Sequence, residues 1–146
     1  MSLTDLVILD PLKRCAKASD LIYSGRYEQA REILGSLWRG VSERPAVDSL
    51  PPETAAEILL QCGVLSGFIG AAQAKDAQEK AMDMLSEALR LFQASDNPAK
   101  VSEAKAELGC CYFRIGSFDE ARSCTPKLLS GRRMSNTARL SLEAQS

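Results

Sequence analysis

Two stretches of this chain carry one helical pattern 91 positions apart, and that recurrence narrows the folds open to it. Tyr27, Ala30, Ile33, Leu34, Leu37 and Trp38 share a register with Phe118, Ala121, Cys124, Thr125, Leu128 and Leu129. Each set begins two residues after a glycine, Gly25 or Gly116. Between Ser102 and Leu129, apolar and small residues also precede the glycine at helical spacing: Ala104, Leu108, Cys111, Tyr112 and Ile115. Two short amphipathic helices thus meet at a residue able to take positive φ, and Ser117 with Glu120 has the spacing of a capping box for the second. The unit is a helical hairpin, and its return predicts a stack of such hairpins.

The first hairpin covers about residues 11–41, with Cys15, Ala18, Leu21 and Ile22 on one helix and Tyr27 to Trp38 on the other. A proline-bearing connector from Ser42 to Glu53 follows, and Pro52 suits the first turn of the next helix. The middle hairpin, about residues 52–94, has stripes at Ala55, Ile58, Leu59, Cys62 and Leu65, then at Ala81, Met84, Leu85, Ala88 and Leu89. The second stripe precedes Ala121 to Leu129 by 40 positions throughout, whereas aligning Gly63 with Gly109 needs 46. The difference marks an insertion at residues 67–76 that either lengthens both helices or forms an extra corner, with Asp76 and Glu79 as caps. The third hairpin, about residues 98–130, opens at Pro98. Arg132 and Arg133 then fall in a solvated turn before a polar capping helix at about 135–145.

Composition removes several classes of function. The 146 residues, 45% hydrophobic and 25% charged, fit one domain with a continuous core, and residues 1–146 are read as that single domain. With 18 basic and 19 acidic residues the net charge is −1, which provides no general attraction to nucleic acid or to an anionic membrane. No apolar run reaches membrane-spanning length, and the first residues lack a secretory pattern, so a cytoplasmic chain is expected. Five cysteines without a C-x-x-C and without any histidine are read as small core residues rather than disulfides or metal ligands. Histidine, a phosphate-cradling glycine loop and a partnered nucleophile are all missing. No enzymatic activity, cofactor or metal is expected.

Leu108, Gly109, Tyr112, Gly116, Phe118 and Ala121 resemble the pattern of a tetratricopeptide repeat. Ala18, Leu21, Gly25, Tyr27, Ala30, Leu34 and Leu37 match it in the first hairpin, and Gly63, Ala81, Leu85 and Ala88 match it in the second. The spacing of the last two units is similar to the longer repeats of kinesin light chains and of bacterial regulators related to the maltose activator. The resemblance implies an all-α fold, an α-α superhelix of about three antiparallel hairpins whose first helices line a concave wall. It also implies a scaffold that binds a protein or peptide there, in bacterial-type regulation or complex assembly. The alternatives are a homo-oligomerising module, such as a homodimer, and the regulatory domain of a larger signalling or transcription assembly.

The repeat frame sends Leu12, Cys15, Ser19, Ile22 and Tyr23 to that wall from the first hairpin, and Glu57, Leu60, Val64 and Phe68 from the second. The third adds Glu103, Ala106, Cys110, Phe113 and Arg114. Tyr23, Phe68, Phe113 and Arg114 are the expected anchors, with Ser19 and Glu103 beside them. Two departures from the family pattern matter. Thr125 and Pro126 should kink the last helix, and Cys15, Ser19, Gln61, Glu103 and Glu107 stand where the family grips a terminal carboxylate, with the wrong charge for that ligand.

Overall fold

Six helices follow one another in the computed structural model, which describes residues 10–40, 43–69 and 75–124. They are α1 (Pro11–Tyr23), α2 (Tyr27–Ile33), α3 (Pro52–Ile69), α4 (Lys75–Ala94), α5 (Pro98–Arg114) and α6 (Phe118–Cys124). Each packs against its successor in an antiparallel-like sequence, and α3 also meets α1 and α5. The all-α expectation therefore holds for the described residues, among which no strand occurs and no helix is long and apolar enough to cross a membrane.

The leading helices α1 and α5 start in the same way. Asp10 Oδ1 accepts the Leu12 N–H at 2.8 Å and the Asn97 side chain accepts the Lys100 N–H at 3.3 Å, with Pro11 and Pro98 next in the chain. They also end in the same way. Gly25 and Gly116 both take φ +82°, and the following N–H reaches back five residues, Arg26 to the Leu21 carbonyl and Ser117 to the Tyr112 carbonyl, each at 2.8 Å. The turn from α4 to α5 repeats the device with Asp96 at φ 53° and an Asn97 N–H to Phe92 carbonyl bond of 3.1 Å. Aspartate is among the few residues that enter the left-handed region readily. The 91-position register read from side chains thus reappears in the backbone.

Helix α3 is the centre of the core. From Ala55 to Gly67 every residue is buried except Glu57, which is half-buried. A Cβ on Gly63 would lie 2.9 Å from Leu85 Cγ and 3.3 Å from the Ala81 carbonyl oxygen, so the glycine sets how closely α4 approaches. Ala30, Ala81 and Ala121 are fully buried, as close helix contacts require.

Four details differ from the sequence reading or extend it. Helix α2 stops at Ile33 instead of continuing to Trp38. The guanidinium of Arg14, buried on α1, donates through Nε (2.9 Å) and Nη2 to the Ile33 carbonyl, and through Nη1 to Ser36 Oγ at 2.6 Å. That carbonyl is the acceptor the Leu37 N–H would use in a continuing helix. Leu37 turns to Leu34 instead, at 2.8 Å. Trp38 is buried all the same, its indole N–H donating to the Glu43 carbonyl at 2.7 Å. Arg44 fixes the connector to α4 through Glu87 at 2.8 Å and 3.0 Å.

Of the insertion, residues 67–69 extend α3 and residues 75–76 belong to α4. Among the described residues this is the lengthening alternative. Asp76 sits inside the first turn of α4 rather than at its cap, where it still faces the positive end of the helix dipole. Leu128 and Leu129, the Thr125–Pro126 kink, the Arg132–Arg133 turn and the capping helix at 135–145 lie outside the described residues.

Two substitutions check this packing by thermal or denaturant unfolding. Nothing lies within 4 Å of a Cβ placed on Gly25, so Gly25→Ala tests backbone strain alone and is expected to cost about 1–2 kcal/mol. Ala121→Leu is expected to cost about 1–3 kcal/mol by overpacking, and an unchanged midpoint would contradict the buried placement of Ala121.

Candidate functional site

The three leading helices come together at one opening. A groove of about 440 Å3 is bounded by Leu12, Cys15, Ala16, Ser19 and Asp20 of α1, by Glu57 and Gln61 of α3, and by Lys100 of α5. Glu57 and Gln61 stand one turn apart and therefore project from the same side of the otherwise apolar α3.

Lys100 organises the polar part of this wall. Its Nζ lies 3.0 Å from Glu57 Oε1 and 3.2 Å from Glu103 Oε2, and Glu103 Oε1 accepts the Tyr23 hydroxyl at 2.9 Å. One chain of charge-assisted contacts thus ties α1, α3 and α5 together. Burial alone would lower the Lys100 pKa, but the Glu103 and Glu57 carboxylates outweigh it and hold the ammonium above its ordinary value. Glu57 is pushed up by burial, which Lys100 only partly offsets, with Glu103 and Glu53 adding like charge. Cys15 is pushed up to about 12 by burial and then by Glu57, so at neutral pH it is an un-ionised thiol in the groove wall.

Gln61 is the other polar feature. It is 3% exposed and faces the groove, yet its amide makes no hydrogen bond to a described residue. Its polar atoms are not among those sealed from solvent, which leaves them accessible from the groove.

The expected anchors divide into separate groups. Ser19 lines the groove, while Tyr23 and Glu103 meet through their hydrogen bond beside it. Phe68 stacks on Tyr27 with ring centroids 4.8 Å apart, and the Arg114 guanidinium lies over the Phe68 ring at 5.0 Å. Arg114 Nη1 also donates to Gln78 Oε1 at 3.3 Å, and Gln78 Nε2 donates to the Gly67 carbonyl at 2.8 Å. Phe113 meets Phe118 edge-on at 5.4 Å. Of the remaining wall candidates, Ile22, Leu60, Val64, Ala106 and Cys110 are buried, so their side chains are core rather than open surface. The repeat frame allots whole helix faces to the wall, but the leading helices also pack on one another and cover those positions.

Lys100 was outside the expected site. Its signal is the acidic residue one turn on, Glu103, which resembles an ordinary surface pair until α3 brings Glu57 to the same ammonium. No protein-family model matches the chain, and neither does a curated protein or a solved structure.

The ion cluster has a pH signature. Because the folded Lys100 pKa is raised, its stabilisation is fully present below the unfolded lysine value and is lost as pH rises through the higher folded one. Lys100→Met is expected to cost about 1–2 kcal/mol at neutral pH, since Glu57 and Glu103 lose their shared cation. The penalty should shrink as pH falls toward the ordinary glutamate pKa, because the raised pKa lets folded Glu57 take up a proton first. Unfolding midpoints of both proteins across pH check this, and a pH-independent difference would contradict the assigned pairing.

Proposed function

We propose that this chain is a helical-hairpin interaction module of tetratricopeptide type, and that it binds a protein or peptide along the wall made by α1, α3 and α5. The observation that carries the reading is the groove. The first helix of each of the three hairpins contributes to it, as expected where successive repeats share a binding surface. The paired glycine turns at Gly25 and Gly116 support equivalence of the first and third units.

The wall combines features of a recognition surface rather than of a sealed core. It is partly open, with the aliphatic Leu12 at 37% exposure and hydrogen-bonding side chains from every leading helix. Its polar groups are held by the Lys100 cluster, so a partner would meet donors and acceptors already in place, which reduces the ordering cost of binding.

Ala16→Trp tests the reading. Ala16 is exposed and borders the groove, so the indole would fill the space while leaving charge and core unaltered. Affinity capture from the source lysate is expected to retain a partner on the parent chain and to lose it on Ala16→Trp. Arg31→Trp, exposed on α2 away from the groove lining, is the control. Equal recovery by the parent and Ala16→Trp would remove the wall from consideration. Light scattering of the purified chain separates a receptor for another protein from a self-associating module.

A further inference from the structure

The chemistry of the groove narrows what could enter it. Glu57 and Glu103 place two carboxylates on or beside the wall, and both share the single ammonium of Lys100. Charge alone would be a weak reason, because solvated acidic clusters are common on helical surfaces. The independent observation is Gln61. Its side chain is buried to within 3% of complete, turned to the groove, and left without a hydrogen-bond partner among the described residues. A buried amide normally finds a partner inside the protein, and one that does not is a group awaiting a partner from outside.

We infer that the groove receives a basic side chain, arginine or lysine, carried on an extended peptide segment. The Gln61 amide oxygen and the Glu57 carboxylate, one turn apart on α3, accept its N–H donors. Leu12 at the rim offers an apolar ledge to the methylene stem, which basic side chains bury while their charged ends seek acceptors. Glu57 keeps acceptor capacity beyond its contact with Lys100, because an ionised carboxylate offers about four lone-pair sites. A terminal carboxylate is disfavoured at this wall, since it would meet Glu57 and Glu103 with one cation already shared between them. The inference rests on the proposed binding role of the α1, α3 and α5 wall and gives that wall a ligand class.

Three capped peptides alternating alanine with arginine, glutamine or glutamate test it, followed by NMR on the side-chain amide of Gln61 and on Tyr23, and by titration at two salt concentrations. The arginine peptide is expected to shift both sets of signals and to bind more weakly at high salt. Gln61→Leu changes no charge and is expected to weaken this binding by about tenfold or more. Its unfolding midpoint should stay level, because no hydrogen bond of the Gln61 amide to a described residue is lost.

Arginine-peptide binding that ignores Gln61→Leu would be diffuse attraction to an acidic surface and would overturn the inference. A lower unfolding midpoint for Gln61→Leu would do the same by giving the amide a structural partner. Equal binding of the glutamine or glutamate peptide at these residues would overturn the charge assignment and leave the interaction-module reading in place. If no peptide of any class touches the wall while Ala16→Trp leaves partner capture intact, both readings fall.

Discussion

The fold depends on enclosing one helix. Helix α3 is buried from Ala55 to Gly67 with Glu57 alone half-exposed, and a helix apolar on every side has to be surrounded. Helices α1, α2, α4 and α5 all touch it, so the hairpins are less a row of equal units than a sheath around the leading helix of the second. The small residues follow from that demand. Gly63 lets α4 settle against α3, Ala81 on α4 lies at that closest approach, and Ala30 is fully buried on α2. Enlarging any of them would push the sheath away from what it covers.

The sequence reveals the hairpins where a helix is amphipathic and conceals them where it is not. Helices α1 and α4 show clean stripes because each has a wet side, and Pro52, Pro98, Gly25 and Gly116 mark boundaries by backbone chemistry that needs no tertiary context. The middle hairpin looks irregular because α3 has no polar face to set a period, and the element least regular in pattern is the most central in space. The end of α2 was hidden for another reason. Leu34, Leu37 and Trp38 continue a helical spacing, but Arg14 of α1 takes the Ile33 carbonyl, and a competing hydrogen bond from another helix leaves no trace in local periodicity.

The candidate site was legible in outline and not in detail. Spacing on α1 brought out Ser19 and Tyr23, and spacing on α5 brought out Glu103, all three of which lie at the groove or in its polar network. The aromatic residues are ambiguous by nature. Phe68 and Phe113 satisfy the same pattern, yet Phe68 lies between Tyr27 and the Arg114 guanidinium and Phe113 lies against Phe118, contacts that hold the far ends of α3 and α5. A cation over an aromatic face serves packing as well as binding, and residue type alone does not separate the two. Only the fold does so, by showing which of these side chains already have a partner.

The central helix and the groove are two consequences of one arrangement. Sheathing α3 satisfies its apolar faces, but α1 and α5 do not close completely over the turn that holds Glu57 and Gln61. An apolar pair at those positions would bury more surface and spare the desolvation of a carboxylate, the burial that pushes the Glu57 pKa up. The chain instead keeps a charge and an amide there and ties the charge to Lys100, whose other partner, Glu103, reaches Tyr23 on α1. Packing accounts for the ion cluster as a clasp joining the three leading helices. It does not account for Gln61, which adds nothing to the clasp, and on the proposed reading that excess of polarity over structural need is what an incoming side chain would meet.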